Sequence, residues 1–280
     1  MRSLLKELVR MGGKIALEHY RPTGGLQADA KGRNDYVSHV DRRIEEALTS
    51  RIRANYPDHL VLGEETHEAW PRPILGPTWI IDPLDGTTNY LHGLPAWSIS
   101  VAFCEDYGEP RMGAVFDPLR QELFLAERHA GVTLNDQRVY SSACCDLAQA
   151  VIAQAMPFKN MAALSDVAAA VAGLQARCND SRRFGSAALD LAYVAAGRLD
   201  AYWELGIHPW DIAAGALMVR CAGGRTSDLA GAADDLSHQR SIIAAASDGL
   251  HAAMVTQLAS LQPWLQRPPY TGLDRDQAAD

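Results

Sequence analysis

The sequence has no C-x-x-C pair, no long apolar run and no excess of basic charge, and each absence narrows what the protein can be. Its five cysteines, Cys104, Cys144, Cys145, Cys178 and Cys221, include no C-x-x-C pair, so neither a disulfide framework nor a zinc ribbon is indicated and reduced thiols are expected. No stretch approaches the about 18 apolar residues that a membrane span requires. The opening MRSLLKELVRMGGKIALEHY places Leu4, Leu5, Leu8, Ile15 and Ala16 at helical spacing among charges, unlike the apolar core of a signal peptide. A cytoplasmic protein with no membrane partner is the expectation. With 34 acidic against 26 basic side chains, the net charge of -8 disfavours a general grip on nucleic acid. An acidic protein that handles a phosphate needs bound cations or focused backbone amides. A Walker loop, a G-x-S-x-G elbow and an H-E-x-x-H helix are all missing, which removes the commonest nucleotide, serine-nucleophile and zinc-protease readings.

What is present divides into two halves, 1–145 and 146–280. The first reads as α+β. After the opening helix, 21–35 (RPTGGLQADAKGRND) reads as a polar loop, and SHVDRRIEEALTSRIRANYP resumes helical periodicity from Ser38, a candidate N-cap. Strands are expected at HLVLG, TWII and AWSISVAF, followed by a hairpin, RMGAVFDPLRQELFLAE, turning at Asp117-Pro118. The second half is richer in alanine and reads as α/β: strands at VIAQA and LDAYWEL alternate with helices at NMAALSDVAAAVAGLQARC, SAALDLAYVAAGR and DIAAGALMVRCAGG. The tail RPPYTGLDRDQAAD is polar enough to be loosely ordered.

The densest chemistry lies in Ile80–Tyr90, IIDPLDGTTNY, where Asp82 and Asp85 stand three residues apart at the end of an apolar run. Proline ends strand pairing and holds the first carboxylate at the end of the sheet. Asp82, Asp85 and the Leu84 carbonyl are hard oxygen donors of the kind magnesium takes. Gly86 permits close backbone approach, and Thr87, Thr88 and Asn89 are residues that open helices, where free N–H groups receive anions. The same residues also make ordinary strand-to-helix turns, and Asp117-Pro118-Leu119 is an internal control: Arg120 and Gln121 follow it, so it reads as a hairpin turn only. Further ligands would have to come from elsewhere. Glu64-Glu65 is either a ligand pair or two solvated charges, Asp211 either a ligand or an N-cap, and Asp41 either a site residue or the acidic partner of a capping box. Arg182-Arg183 reads as a solvated pair, and His208 as a packing or surface residue.

Together, Glu64-Glu65, Asp82-Pro83-Leu84-Asp85-Gly86-Thr87-Thr88, Arg183-Phe184-Gly185-Ser186-Ala187-Ala188-Leu189-Asp190, Tyr202-Trp203-Glu204 and Trp210-Asp211-Ile212-Ala213-Ala214-Gly215 closely resemble the inositol monophosphatase family of magnesium-dependent, lithium-sensitive phosphatases, its bacterial members most of all. The resemblance implies an α/β fold, a layered α/β/α/β/α sandwich with the site between its halves. It implies two or three Mg2+ ions held by Glu64, Asp82, the Leu84 carbonyl, Asp85 and Asp211, with Glu64, Thr87 and Asp41 catalytic. Substrate would meet Asp85, Gly86, Thr87, Gly185, Ser186, Ala187, Glu204 and Asp211. A small phosphorylated polyol, most simply inositol monophosphate, is the implied substrate, and a homodimer the implied assembly. Relatives of the same pattern act on histidinol phosphate, fructose 1,6-bisphosphate, nucleotide 3'-phosphates or NADP, or serve as regulatory proteins in transcription complexes. Two departures stand out: Cys221, where an acidic residue is common before Ala-Gly-Gly, and a short proline-rich loop over 66–78.

Overall fold

The computed structural model describes residues 1–21, 29–32, 35–37, 39–65, 74–106, 108–157, 161–233 and 241–266. The Ser38 cap, most of the 66–78 loop and the polar tail lie outside the described residues. In chain order the elements are α1 (Arg2–His19), β1 (Asp29–Gly32), β2 (Asp35–Val37), α2 (His39–Asn55), β3 (Leu60–Gly63), β4 (Thr78–Asp85), α3 (Thr87–Leu91), β5 (Ser98–Cys104), β6 (Pro110–Asp117), β7 (Glu122–Glu127), β8 (Gly131–Leu134) and β9 (Gln137–Val139). There follow β10 (Val151–Gln154), α4 (Leu164–Gln175), β11 (Asp180–Arg182), α5 (Ala187–Ala195), β12 (Ala201–Leu205), α6 (Pro209–Cys221), β13 (Arg225–Ser227), β14 (Ser241–Ala245) and α7 (Asp248–Gln257).

Strands β3 to β9 form one seven-stranded sheet in chain order, antiparallel except for the β3–β4 pair. A second sheet runs β11-β10-β12-β14-β13 and is mixed. Strand alternation sorts side chains into three cores. Trp79, Ile81, Ile99, Val101 and Phe103 face α1 and α2, whereas Ile80, Ala102 and Cys104 on the same strands face α5 and α6. On the second sheet, Tyr202, Ile242 and Ala244 join α5 and α6 in that central core, while Trp203, Ile243 and Ala245 pack with residues of α4 and α7. The order of layers is therefore α1/α2, sheet, α5/α6, sheet, α4/α7, the α/β/α/β/α sandwich expected.

The central helices explain the alanine-rich second half. α6 buries every residue from Ile212 to Val219 and α5 all but one from Ala187 to Ala195, because each is covered by a sheet on both sides. Such helices are apolar all round and their small side chains let the sheets close on them. Strand β5 is buried along its whole length, so its period-two pattern separates two cores rather than core from solvent.

Three expectations change. Residues 21–35, read as a loop, contain β1, which pairs antiparallel with β2; the alternation in ADAKG rests on two alanines over four residues with no β-branched or aromatic side chain, too little to announce a strand. Strands β8, β9, β11 and β13 are three or four residues long, too short for a period to register. Helix α7 goes unseen because its polar and small residues dilute the apolar positions, and only Leu250, His251 and Met254 are buried.

Candidate active site

Strand β4 turns irregular where its carboxylates lie. Asp82 pairs with Ser100 and Asp85 with Ser98, so three steps along β4 match two along β5, a bulge that leaves both aspartates at the end of the sheet. Leu84 N–H donates to Asp82 Oδ1 at 3.0 Å, closing the turn. Gly86 follows at φ +94, and an added Cβ would stand 2.9 Å from Ala96 O and 3.1 Å from Gly185 O, so only glycine fits. Thr87 then opens α3, and its hydroxyl lies 3.0 Å from both Asp41 Oδ1 and Leu84 O, which share its proton.

Glu64 arrives from the end of β3, its N–H donating to Ile81 O at 3.2 Å. The turn is anchored from α2: buried Glu45 accepts the Glu65 N–H at 2.8 Å, and a Cβ on Gly63 would collide with that carboxylate. Asp211 comes from the first turn of α6, where Oδ2 accepts the His208 N–H at 2.8 Å behind Pro209. Asp211 is therefore not the N-cap, which is His208, but the third helical residue reaching back to it in a capping box, and it also offers a carboxylate oxygen to a cluster: Asp82, Asp85 and Asp211 each place one oxygen within 4.8 Å of the others.

These groups border a cleft of about 520 Å³. Glu64, Asp82, Leu84, Asp85, Gly86, Thr87, Gly185, Ser186, Ala187, Glu204 and Asp211 all line it. Asp41 does not; it is fully buried and touches the site through Thr87. Across the cleft, Ser186 Oγ, Ala187 N–H (3.2 Å) and Ala188 N–H (2.8 Å) donate to Asp85, and Tyr202 donates its hydroxyl to Glu204.

Residues without an assigned role also line the cleft: Asn89, His92, Arg183, Asp190, Tyr202 and His208. Arg182 pairs with Asp180 at 2.6 Å while Arg183 stands at the rim, so the two arginines part company. His208 is stacked on Trp210, ring centroids 4.5 Å apart, and borders the cleft as well. Tyr202 was legible as the neighbour two residues before Glu204 on one face of β12. Asp190 was legible as the single charge in the apolar helix AALDLAYVA.

The electrostatics of these carboxylates suit a bound cation. Burial first, then the charges of Glu64, Asp85 and Asp211, push Asp82 well above the usual carboxylate range. Burial lifts Asp85 to about 6 against the opposing hydrogen bonds from Ser186, Ala188 and Ala187. At an effective dielectric near 20, two full charges at the 4.8 Å limit repel by about 3 kcal/mol. Three ionised carboxylates with oxygen-only chemistry therefore fit a hard divalent ion, and Asp82, Asp85 and Asp211 could hold one. The control behaves otherwise: Asp117 accepts the N–H groups of Leu119 (2.9 Å) and Arg120 (3.0 Å) and an ion pair from Arg120 at 2.8 Å, so its charge is already compensated.

Comparison with known proteins agrees with this geometry. Residues 1–262 match the inositol monophosphatase family. Nus factor SuhB of Pasteurella multocida is 44% identical over 224 residues, 79% of this chain and 82% of that protein. Among solved structures, the extragenic suppressor protein suhB of Bartonella henselae superposes with TM-score 0.83 at 36% identity, covering 91% of this chain and 97% of its own. An IMPase from Thermotoga maritima gives TM-score 0.82 at 30% identity, covering 92% and 96%. By sequence, fold and the acidic site alike, the chain belongs to the inositol monophosphatase family.

Proposed function

We propose that the protein is a magnesium-dependent phosphomonoesterase that hydrolyses inositol monophosphate, or a similar small polyol phosphate, to the alcohol and inorganic phosphate. The observation that carries this reading is the convergence of Asp82, Asp85 and Asp211 within 4.8 Å beside the Gly86–Thr87 turn. Glu64, Asp82, the Leu84 carbonyl, Asp85 and Asp211 would hold two or three Mg2+ ions, which supply charge neutralisation on the phosphoryl oxygens and a lower pKa for water. The chain's own groups do the rest. Backbone N–H groups of Gly86 and Thr87 receive the phosphate. Glu64 and Thr87 orient the attacking water in line with the ester bond. Because Thr87 already directs its proton toward Asp41 and Leu84 O, its oxygen keeps a lone pair to accept from that water, and Asp41 is the natural sink for the proton. Glu204, held by Tyr202, and the Gly185–Ala187 segment face the hydroxyls of the leaving group.

A panel containing inositol monophosphate, histidinol phosphate, fructose 1,6-bisphosphate, a nucleotide 3'-phosphate and NADP, assayed with magnesium, tests the assignment. The polyol phosphate is expected to give the highest kcat/KM, with inhibition by millimolar lithium at limiting magnesium. No hydrolysis of any phosphomonoester would end the enzyme reading.

A second reading has a specific support: relatives at this level of identity are named Nus factor SuhB. A regulatory role in transcription complexes, through protein contacts rather than nucleic acid, fits a chain of net charge -8. The intact carboxylate set favours an active enzyme in either case, because binding a protein partner places no demand on Asp82, Asp85 and Asp211 together. A homodimer and a cytoplasmic location accompany both readings. No helix among the described residues is long and apolar enough to cross a membrane.

A further inference from the structure

Asn89 lies on α3, two residues after Thr87, and its side-chain amide reaches into the other half of the molecule. Nδ2 donates to Ala96 O at 2.6 Å and to Phe184 O at 2.7 Å, with Gly185 O at 3.4 Å. Three carbonyl oxygens around one atom require that atom to be the amino group, since an amide oxygen there would face acceptors only. Ala96 leads into β5 of the first sheet, whereas Phe184 and Gly185 lead into α5 of the central layer.

The two ends of this bridge are the two parts of the cleft. On one side, Gly86 and Thr87 form the turn that receives phosphate. On the other, Ser186, Ala187 and Ala188 follow directly from Gly185 and close on Asp85. The backbones meet where Gly86 abuts Gly185 O, a contact with no room for even a methyl group. We infer that Asn89 is a positioning residue that locks the Gly185–Ala187 segment against the Gly86–Thr87 turn, so that phosphate and leaving-group hydroxyls are held in one register. What it positions rests on the phosphomonoesterase reading; the lock itself rests on the hydrogen bonds.

Full-length Asn89→Asp tests it, because the substitution keeps the shape and replaces the donor by a charged acceptor facing three carbonyls. Relative to wild type, kcat/KM for inositol monophosphate is expected to fall about 30-fold or more, mainly through KM, on the loss of two hydrogen bonds. Hydrolysis of p-nitrophenyl phosphate, whose leaving group has no hydroxyls for the segment to hold, should fall by a clearly smaller factor, the loss that passes through Asp85 alone. Hydrogen exchange at the Ala187 and Ala188 amides should accelerate about tenfold in the folded protein. Equal losses on both substrates, or unchanged exchange at these amides, would overturn the proposal. Should wild type hydrolyse neither substrate, the phosphomonoesterase reading fails and the exchange rates alone decide the lock. Asn89→Ala, which removes the donor without adding charge, carries the same comparison if the aspartate variant does not fold.

Discussion

Two aspartates in this chain precede Pro-Leu, and their neighbours separate them. Asp117 accepts two backbone N–H groups and the Arg120 guanidinium. Asp82 accepts one N–H and stands among like charges. Replacing Asp82 by asparagine should therefore have opposite effects on activity and stability. On the proposed function, activity is expected to drop about a thousandfold or more with the loss of a carboxylate assigned to the metal. The melting temperature in chelator is expected to hold or rise, because a neutral amide is spared the burial and like-charge repulsion that push the Asp82 carboxyl upward. Paired melts and assays of Asp82→Asn check both, and a variant that loses activity by unfolding would contradict the account. The pairing of Asp82 with Asp85 was readable in the string itself. The contrast with Asp117 was readable too, since Arg120 follows one copy and Asp85 the other.

At the scale of elements, the site depends on how helices seat strand ends. Glu64 is placed by the contact of α2 with the end of β3, where the buried Glu45 carboxylate occupies the space a Gly63 side chain would need and holds Glu65 N–H at 2.8 Å. Gly63→Ala is expected to push that carboxylate off its partner, costing about 1–2 kcal/mol for the unpaired N–H, and to lower kcat/KM by moving Glu64. Urea unfolding and steady-state kinetics on the one variant measure the two effects; an unchanged midpoint would refute the role given to Glu45. Helices α1 and α2 and the β6–β7 hairpin were legible because each leaves one face to solvent or turns on a strong turn sequence. Glu45 was not, because an acidic residue in EEALTSRIRAN looks like any solvated helix charge until β3 is laid over it. Asn89 escaped for the same reason: in DGTTNY it reads as a helix-opening residue, and its partners Phe184 and Gly185 come from the far half of the chain.

For the whole molecule, the carboxylate cluster links stability to pH. Asp82 and Asp85 have folded pKa values above the unfolded carboxylate value, so metal-free protein has its full stabilisation from them only at low pH and loses it as pH rises through about 6, the value for Asp85. In chelator the melting temperature is expected to fall as pH is raised across that window. Saturating magnesium should flatten the fall and add about 2.7 kcal/mol at a hundredfold excess over Kd. A scan of melting temperature against pH, with and without magnesium, checks it; parallel curves would mean that the cluster does not bind the ion.

The sequence by itself determined the class of the protein. Local strings held the carboxylates, the glycine and the helix-opening hydroxyls of the site, and periodicity with composition held the long helices and the α/β character of the second half. Tertiary structure alone decided how those pieces serve one another. It placed α5 and α6 between two sheets, seated Glu45 under Gly63, put Asp41 behind Thr87, and joined Asn89 to Phe184. The physical reason is distance along the chain: propensity, capping and ligand type act over a few residues, whereas each of these contacts depends on which elements pack together, and no short stretch of sequence contains both partners.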